Sequence, residues 1–246
     1  MAARFGADGA LFTGASESSA ACIVALDAED GPRHRRVRSG WRVCFTDQDD
    51  TGARLMFAYE KTRPSLYEQL EALPEGLTGE ILNGQLYTQP RPSGAHVVTA
   101  SALGYELFGP FQKGRGGPGG WWIIDEPELH FTHDTEVDVP DLAGWLRSRL
   151  PRIPQDHRFT VVPDWVCEIL SPSTESKDRE VKMPIYAHFG VAYAWLIDPR
   201  AHTLEAYALE GGDWREIGRF AGGAQVSVAP FDAVTIALDD LWAPTE

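Results

Sequence analysis

The sequence is short of positive charge. Against 36 acidic residues it sets 22 lysines and arginines, a formal net charge of −14 at pH 7. A protein that binds a polyanion normally shows a basic surface, so a nucleic-acid role would need a local source of positive charge. A divalent ion held by carboxylates is one such source, and Lys113, Arg115, Arg147, Arg149 and Arg152 are others. Cysteine is scarce as well. Cys22, Cys44 and Cys167 are odd in number, far apart and without a nearby histidine pattern, which excludes a disulfide framework and a zinc site and leaves Cys167, in an apolar run, as a core residue. No apolar run approaches the roughly 20 residues that span a bilayer. The opening MAARFGADGALFTG lacks a cationic region followed by a sustained apolar stretch, so a secretory signal is not expected and a cytoplasmic protein is. A phosphate loop is also missing: FQKGRGGPGG carries two cations but no Gly-Lys-Ser/Thr ending and no helical pattern behind it, and reads as a glycine-rich connector.

What is present fits one soluble α/β domain, with 43% apolar and 24% charged residues in a chain of 246 and no internal repeat. Residues 1–55 mix GASESSAAC, RHRRVR and DQDD without sustained periodicity. They are expected to be a flexible extension, or to precede a true start at Met56; residues 56–246 form the domain. In YEQLEALPEG, Leu66, Leu70 and Leu73 stand at helical spacing before a Pro-Glu-Gly stop. EILNGQLY places Asn-Gly between two strand-like runs, predicting a hairpin with strands at 79–82 and 85–89. A helix is expected from about Ser93 to Gly109-Pro110, with Val97, Ala100 or Ser101, Gly104 and Leu107 or Phe108 as its buried stripe. WWIIDEPELHF and TEVDVPDLAGW read as two strands and TVVPDWVCEIL as another, with a helix through KDREVKMPIYAHFG. VAYAWLIDP and TLEAYAL then read as strands paired through a turn at residues 199–202, ahead of a strand-rich C-terminal region.

The carboxylates carry the chemistry. Two on one magnesium ion must lie within a few ångströms of each other, since its oxygen ligands sit at roughly 2.0–2.1 Å. Asp164 and Glu168 share a strand and a face, but four strand residues separate their backbones by about 13 Å. Asp141 ends a different strand. If that strand neighbours the one carrying Glu168, the two side chains meet across the roughly 4.8 Å strand spacing. Glu168 also interrupts the apolar run VCEIL, and a carboxylate so placed needs a metal or a cation as partner. Asp178, Lys182 and Tyr186 follow at intervals of four on one helix face; for Asp178 a solvated ion pair with Lys182 is the commoner arrangement.

The segments YEQLEALPEG…GEILNGQLY, VDVPDLAGW, PDWVCEILSPST, DREVKMPIYAHFG and AYAWLIDP, from about Tyr67 to Trp242, together resemble the Uma-two family, predicted endonucleases of the PD-(D/E)XK superfamily. The resemblance implies a restriction-endonuclease-like core, a mixed β-sheet flanked by helices with an acidic metal site. It further implies a Mg²⁺-dependent endonuclease acting on DNA, Mn²⁺ being the substitute ion. Carried over residue by residue, it puts a glutamate at Glu80, the proline-aspartate motif at Pro140-Asp141, the next acid at Glu168 and the lysine at Lys182. Asp141, Glu168 and Glu80 would be the metal ligands, and Lys182 would orient water or stabilise charge at phosphorus. Two departures stand out. The superfamily's lysine follows the acid by two residues, where this chain has Leu170, and Pro184 threatens to kink the turn that carries Lys182.

Two rival readings belong to other classes. One is an inactive nucleic-acid- or partner-binding module of the same fold, favoured by the acidic balance. The other is a metal-free hydrolase in which Asp141 and Glu168 act as acid and base and Trp121, Trp122 and Trp165 line a sugar cleft. His96 and His130 are alternative bases, though structural histidines are commoner, and His133 beside Asp134 reads as a loop residue. A homodimer fits a nuclease that cuts both strands.

Overall fold

The computed structural model describes residues 63–244 together with three earlier strands, β1 (Ile23–Ala25), β2 (Arg42–Phe45) and β3 (Met56–Tyr59). These three pair antiparallel in the order β1-β3-β2, within a unit of residues 1–65 that is distinct from residues 66–246. Apart from those strands, the expectation of an extension or of a start at Met56 falls outside the described residues.

The second unit opens with α1 (Leu66–Glu71), which buries Tyr67 and ends before Pro74 and Gly76, the latter at φ 90°. Strands β4 (Leu77–Leu82) and β5 (Gln85–Pro90) form the expected hairpin. Asn83 at φ 51° and Gly84 at φ 69° supply the positive backbone angles of its two-residue turn. Helix α2 (Gly94–Leu107) follows, capped by Ser93, whose hydroxyl accepts from the His96 backbone N–H.

Its buried face is His96, Thr99, Leu103 and Leu107, one position away from the stripe expected from sequence. Two polar residues have turned inward because each finds a partner there. The Thr99 hydroxyl donates to the Leu241 carbonyl at 2.9 Å, and His96 meets Asp141. Val97, Tyr105 and Phe108 are left facing solvent. Nor does the helical path stop at Gly109-Pro110: a π-helical turn, Phe108–Gln112, carries it into the glycine-rich loop.

WWIIDEPELHF and TEVDVPDLAGW each prove to be two strands rather than one. β6 (Trp121–Asp125) breaks from β7 (Glu128–Thr132) at Glu126, φ 44°, and Pro127. β8 (Glu136–Asp138) breaks from β9 (Leu142–Leu146) at Pro140. Proline has no N–H for a ladder, and here each break sends the two halves into different sheets. β7 and β8 join the hairpin and a short β10 (Arg158–Phe159) in a five-stranded sheet of order β10-β7-β8-β4-β5. β6 and β9 enter a six-stranded sheet with β11 (Trp165–Ile169).

After β11 the chain runs helically through α3 (Glu175–Lys177), a π-helical turn Asp178–Lys182, and α4 (Met183–Phe189), which Gly190 closes at φ 79°. Then come β12 (Tyr193–Asp198), β13 (Thr203–Glu210) and β14 (Asp213–Ala221), and a two-stranded ladder of β15 (Gln225–Val226) and β16 (Ile236–Ala237). The six-stranded sheet has the order β14-β13-β12-β11-β9-β6. β11 and β12 are parallel and the other pairs antiparallel. The architecture is thus α/β, with mixed sheets flanked by a few helices. Among the described residues no helix is long and apolar enough to cross a membrane.

The alternation along β11 determines which face receives the chemistry. Trp165, Cys167 and Ile169 enter one core with Leu103, Leu107, Trp121 and Trp195. Val166 enters the other, with Ala143, Leu196, Met183 and Tyr186. Glu168 has the parity of Val166 and so faces the helical run that follows. Gly144 on β9 permits the first core to close, since a Cβ there would stand 3.2 Å from the Trp165 ring and 3.3 Å from that of Trp121.

That helical run is pinned to the sheet by Glu205 on β13. Its oxygens accept from Arg179 at 2.8 and 3.0 Å and from Arg219 at 3.2 Å. Burial would raise the Glu205 carboxyl, but Arg179 and its companions outweigh this and bring it down to about 2. A carboxyl depressed on folding stabilises fully above its ordinary value of 4.5 and loses that contribution as pH falls towards about 2. Glu205→Gln is therefore expected to cost about 2 kcal/mol at pH 7 in urea denaturation, with the gap to the unsubstituted protein closing between pH 5 and 2.

Candidate active site

On β4 and β8 the registered pair Ile81 and Val137 packs against Tyr67, so their neighbours Glu80 and Asp138 lie on the opposite face. Glu168 approaches from the six-stranded sheet. Between the two sheets stands Lys182, 1% exposed, delivered by the π-helical turn. Its ammonium lies 2.8 Å from Glu80 Oε1, 3.0 Å from Asp138 Oδ1 and 2.8 Å from Glu168 Oε1, and it donates to the Val139 carbonyl at 3.2 Å. The Tyr186 hydroxyl, one turn on, lies within hydrogen-bonding distance of both Asp138, at 3.0 Å, and Glu168, and its one proton serves one of them at a time. The wide turn accommodates Pro184, which sits in the first turn of α4 where it forfeits no needed donor.

Glu80 is doubly held. Oε1 accepts from the Val139 backbone N–H as well as from Lys182, and Oε2 is taken by Lys177, which also donates to Gln89 at 2.7 Å. Although burial acts to raise its carboxyl, the two lysines hold it at about 2. Asp138 goes the other way. Burial raises it to about 7 against the pull of Lys182, and its Oδ2 is buried with no hydrogen-bond partner. Burial likewise lifts Glu168 well above the usual carboxylate range, opposed by Lys182 and reinforced by the charges of Asp178, Asp141 and Asp138. The Lys182 ammonium is held charged, because those carboxylates overcome the effect of its burial.

Asp141 lies at the mouth of this cluster. The β9–β11 register ends with Leu142 paired to Cys167, and Asp141 and Glu168 are the residues that flank this last pair. Its Oδ2 accepts from the Ile169 backbone N–H at 2.6 Å, and its Oδ1 lies 2.7 Å from His96 Nε2, a pairing in which the imidazole donates. Burial works to lower the His96 pKa, but Asp141, with Asp178 and Glu126 behind it, raises it overall.

Lys182 is thus in direct contact with both Glu80 and Glu168, while Asp141 is held by His96 and the Ile169 N–H at the end of the neighbouring strand. Asp164 is occupied elsewhere, accepting from the Leu146 backbone N–H at 2.8 Å and from Arg149 at 2.7 Å. Arg147 is committed too, donating to the Trp121 and Gln112 carbonyls while lying over the Trp122 ring. Of the five cations considered from sequence, these two serve the fold. Trp121 and Trp165 are core residues and offer no sugar platform. His130 is buried against Glu128, and His133 pairs with Asp134 at the surface.

Sequence reasoning missed Asp138 and misjudged Asp178. Asp138 carried a signal in its strand alternation, two residues from Pro140 and opposite Glu80 once the hairpin register is known. Asp178 is buried at 3% exposure rather than solvated, and its carboxyl is raised by burial against the pull of Lys182. His96 was weighed as a structural histidine; its contact with Asp141 could not be read from spacing, because 45 residues separate them.

Five carboxylates (Glu80, Asp138, Asp141, Glu168 and Asp178) face two lysines, so negative charge is in excess. The donors are hard oxygens suited to magnesium. Among the described residues no three His, Cys, Asp or Glu side chains gather closely enough to cage an ion by themselves. Magnesium does not require that, since it usually keeps several waters and takes one or two carboxylates. Asp141 and Glu168, which flank the last registered pair of β9 and β11, are the carboxylates that would hold such an ion.

Fold and cluster define an α/β protein with buried acid–lysine chemistry between two sheets. The chain matches the Uma2 family, described as "Putative restriction endonuclease", over residues 64–239, and it belongs to that family. A solved structure from Anabaena variabilis, described as a putative nuclease belonging to DUF820, has the same fold. It is 24% identical, covers 73% of this chain and 98% of its own, and superposes with a TM-score of 0.57. Comparison with curated proteins gives no match.

Removing the ammonium would leave Asp138 and Glu168 buried without a cation and Glu80 with Lys177 alone. Lys182→Met is expected to cost about 3–5 kcal/mol in urea denaturation at pH 7. Asp141→Asn, at the half-open mouth, should cost less than half as much.

Proposed function

We propose that the chain is a metal-dependent endonuclease that hydrolyses phosphodiester bonds of DNA, with Asp141 and Glu168 holding Mg²⁺ or Mn²⁺. The observation that carries this reading is the Lys182–Glu168 contact at the end of β11, with Asp141 flanking the last registered pair of β9 and β11 and accepting from the Ile169 N–H. Membership of a family described as "Putative restriction endonuclease" supports it. When bound, the ion would polarise a phosphoryl oxygen and make a nearby water more acidic.

The protein's own groups prepare that chemistry. The Ile169 N–H and His96 fix both oxygens of Asp141, so the carboxylate is aimed before any ligand arrives. Lys182 and Tyr186 both engage Glu168 Oε1 and hold that side chain in one orientation. With its ammonium enclosed by three carboxylates and a carbonyl, Lys182 acts through Glu168 and is a positioning residue. Glu80 balances the charge of Lys177 and Lys182 and, as the family resemblance implies, would complete the metal shell. Asp178 adds negative charge beside Glu168 and Asp141 and strengthens the site's demand for a cation.

Two measurements test this. Purified protein should nick supercoiled DNA in Mg²⁺ or Mn²⁺ but not in EDTA, and Asp141→Asn or Glu168→Gln should lower the rate at least 100-fold. Cleavage that survives both substitutions would sink the assignment, and binding without cleavage under either metal would favour an inactive module. His96→Ala should weaken Mn²⁺ affinity by about 10–100-fold in a calorimetric titration. His96→Gln, which keeps a donor near the position of Nε2, should restore much of it.

A further inference from the structure

A cleft of about 940 Å³ opens beside Asp141, between α2 and the glycine-rich loop after it. Its three kinds of surface differ chemically. Its inner end is acidic, with Asp141 joined by Asp125 and Glu126. Its outer rim carries Lys113 and Arg115, both exposed, and neither makes an ion pair among the described residues. α2 and the turn after it present Val97, Tyr105 and Phe108 to solvent, with Glu106 beside Tyr105 as a further acid in the lining, and Tyr105 is 80% exposed. An aromatic side chain held so far into water is an available stacking surface.

The loop that bears the cations is tied to the end of the helical path by its backbone. Arg115 N–H donates to the Gly109 carbonyl and Gly119 N–H to the Pro110 carbonyl, both at 2.9 Å. The cations therefore occupy a defined position at the rim, and Lys113 lies over the Phe108 ring, 5.0 Å from its centroid. Cations that track a backbone beside an aromatic platform are what proteins use to bind unpaired strands, because a base exposes a face for stacking only when it is out of the duplex.

We propose that this cleft receives an unpaired strand of nucleic acid, with phosphates on Lys113 and Arg115, a base stacked on Tyr105, and the chain led inward to Asp141. The proposal rests on the nuclease reading and deepens it by naming the form of the substrate. It also shows how a strongly acidic protein could engage a polyanion, since the two unpaired cations stand where the strand would enter.

Fluorescence anisotropy on the full chain in Ca²⁺ tests it, using a fluorescein-labelled 20-nucleotide oligothymidylate and a 20-base-pair duplex as probes. The single strand is expected to bind at least tenfold more tightly. Tyr105→Ala should weaken its binding about tenfold, with Tyr105→Trp restoring it. The double variant Lys113→Gln/Arg115→Gln should weaken it further and reduce the slope of log K against log salt by about 1.4. All three positions are solvent-exposed, so these variants should fold, which circular dichroism checks. Equal or tighter binding of duplex, unmoved by the substitutions, would overturn the proposal. So would a protein dimer, seen in sedimentation, that Tyr105→Ala dissociates without altering strand affinity. Failure of the nuclease reading looks different: strand binding that depends on the cleft, with no cleavage of either probe in Mg²⁺ or Mn²⁺, would remove the catalysis and leave the binding site standing.

Discussion

A lysine ammonium buried among three carboxylates holds the site together. Lys182 touches Glu80 and Asp138 from one sheet and Glu168 from another, so a single side chain couples two sheets, with the Tyr186 hydroxyl beside it spanning Asp138 and Glu168. Desolvating so many ionisable groups at once is unfavourable, and mutual contact offsets it. The offset is incomplete. Asp138 keeps an unpartnered oxygen and is raised to about 7, and burial, with neighbouring acids, lifts Glu168 well above the usual carboxylate range. That residual demand for positive charge is the electrostatic property a metal site requires.

Other parts of the fold serve this arrangement. The prolines that interrupt β6–β7 and β8–β9 deal strands to different sheets and thereby set the five-stranded sheet against the six-stranded one. Glu205 anchors Arg179 and fixes the helical run that delivers Lys182. Helix α2 turns His96 inward to hold Asp141, and in doing so leaves Tyr105 and Val97 facing the cleft.

Much of this was legible in the sequence where the signal is local. The Asn83-Gly84 turn needs positive φ at both residues, so the hairpin and its register follow from two letters. The strand pairing of β12 with β13, the burial of Cys167 and the apolar alternation around Glu168 are equally local. What escaped depends on long-range partners. The buried face of α2 was misplaced because His96 and Thr99 look polar until Asp141 and the Leu241 carbonyl come alongside. Asp138 is silent without knowing that β8 pairs with β4, and the division of two long strands into four depends on which sheet each half can join. Resemblance to a family named Glu80 and Lys182; their mutual contact is information that only the folded chain holds.

Leu170 stands where the superfamily pattern has its lysine, two residues beyond the acid, and it is buried at 1% exposure. The strand has thus kept an apolar rib where a charge would have interrupted it, and the charge arrives instead from a helix with a π-helical turn. A side chain carried by a strand inherits the rigidity of the whole ladder. One carried by a helical turn shifts when that turn winds or unwinds, leaving the sheet untouched. The reach and aim of the lysine have become adjustable independently of the scaffold that holds the acids.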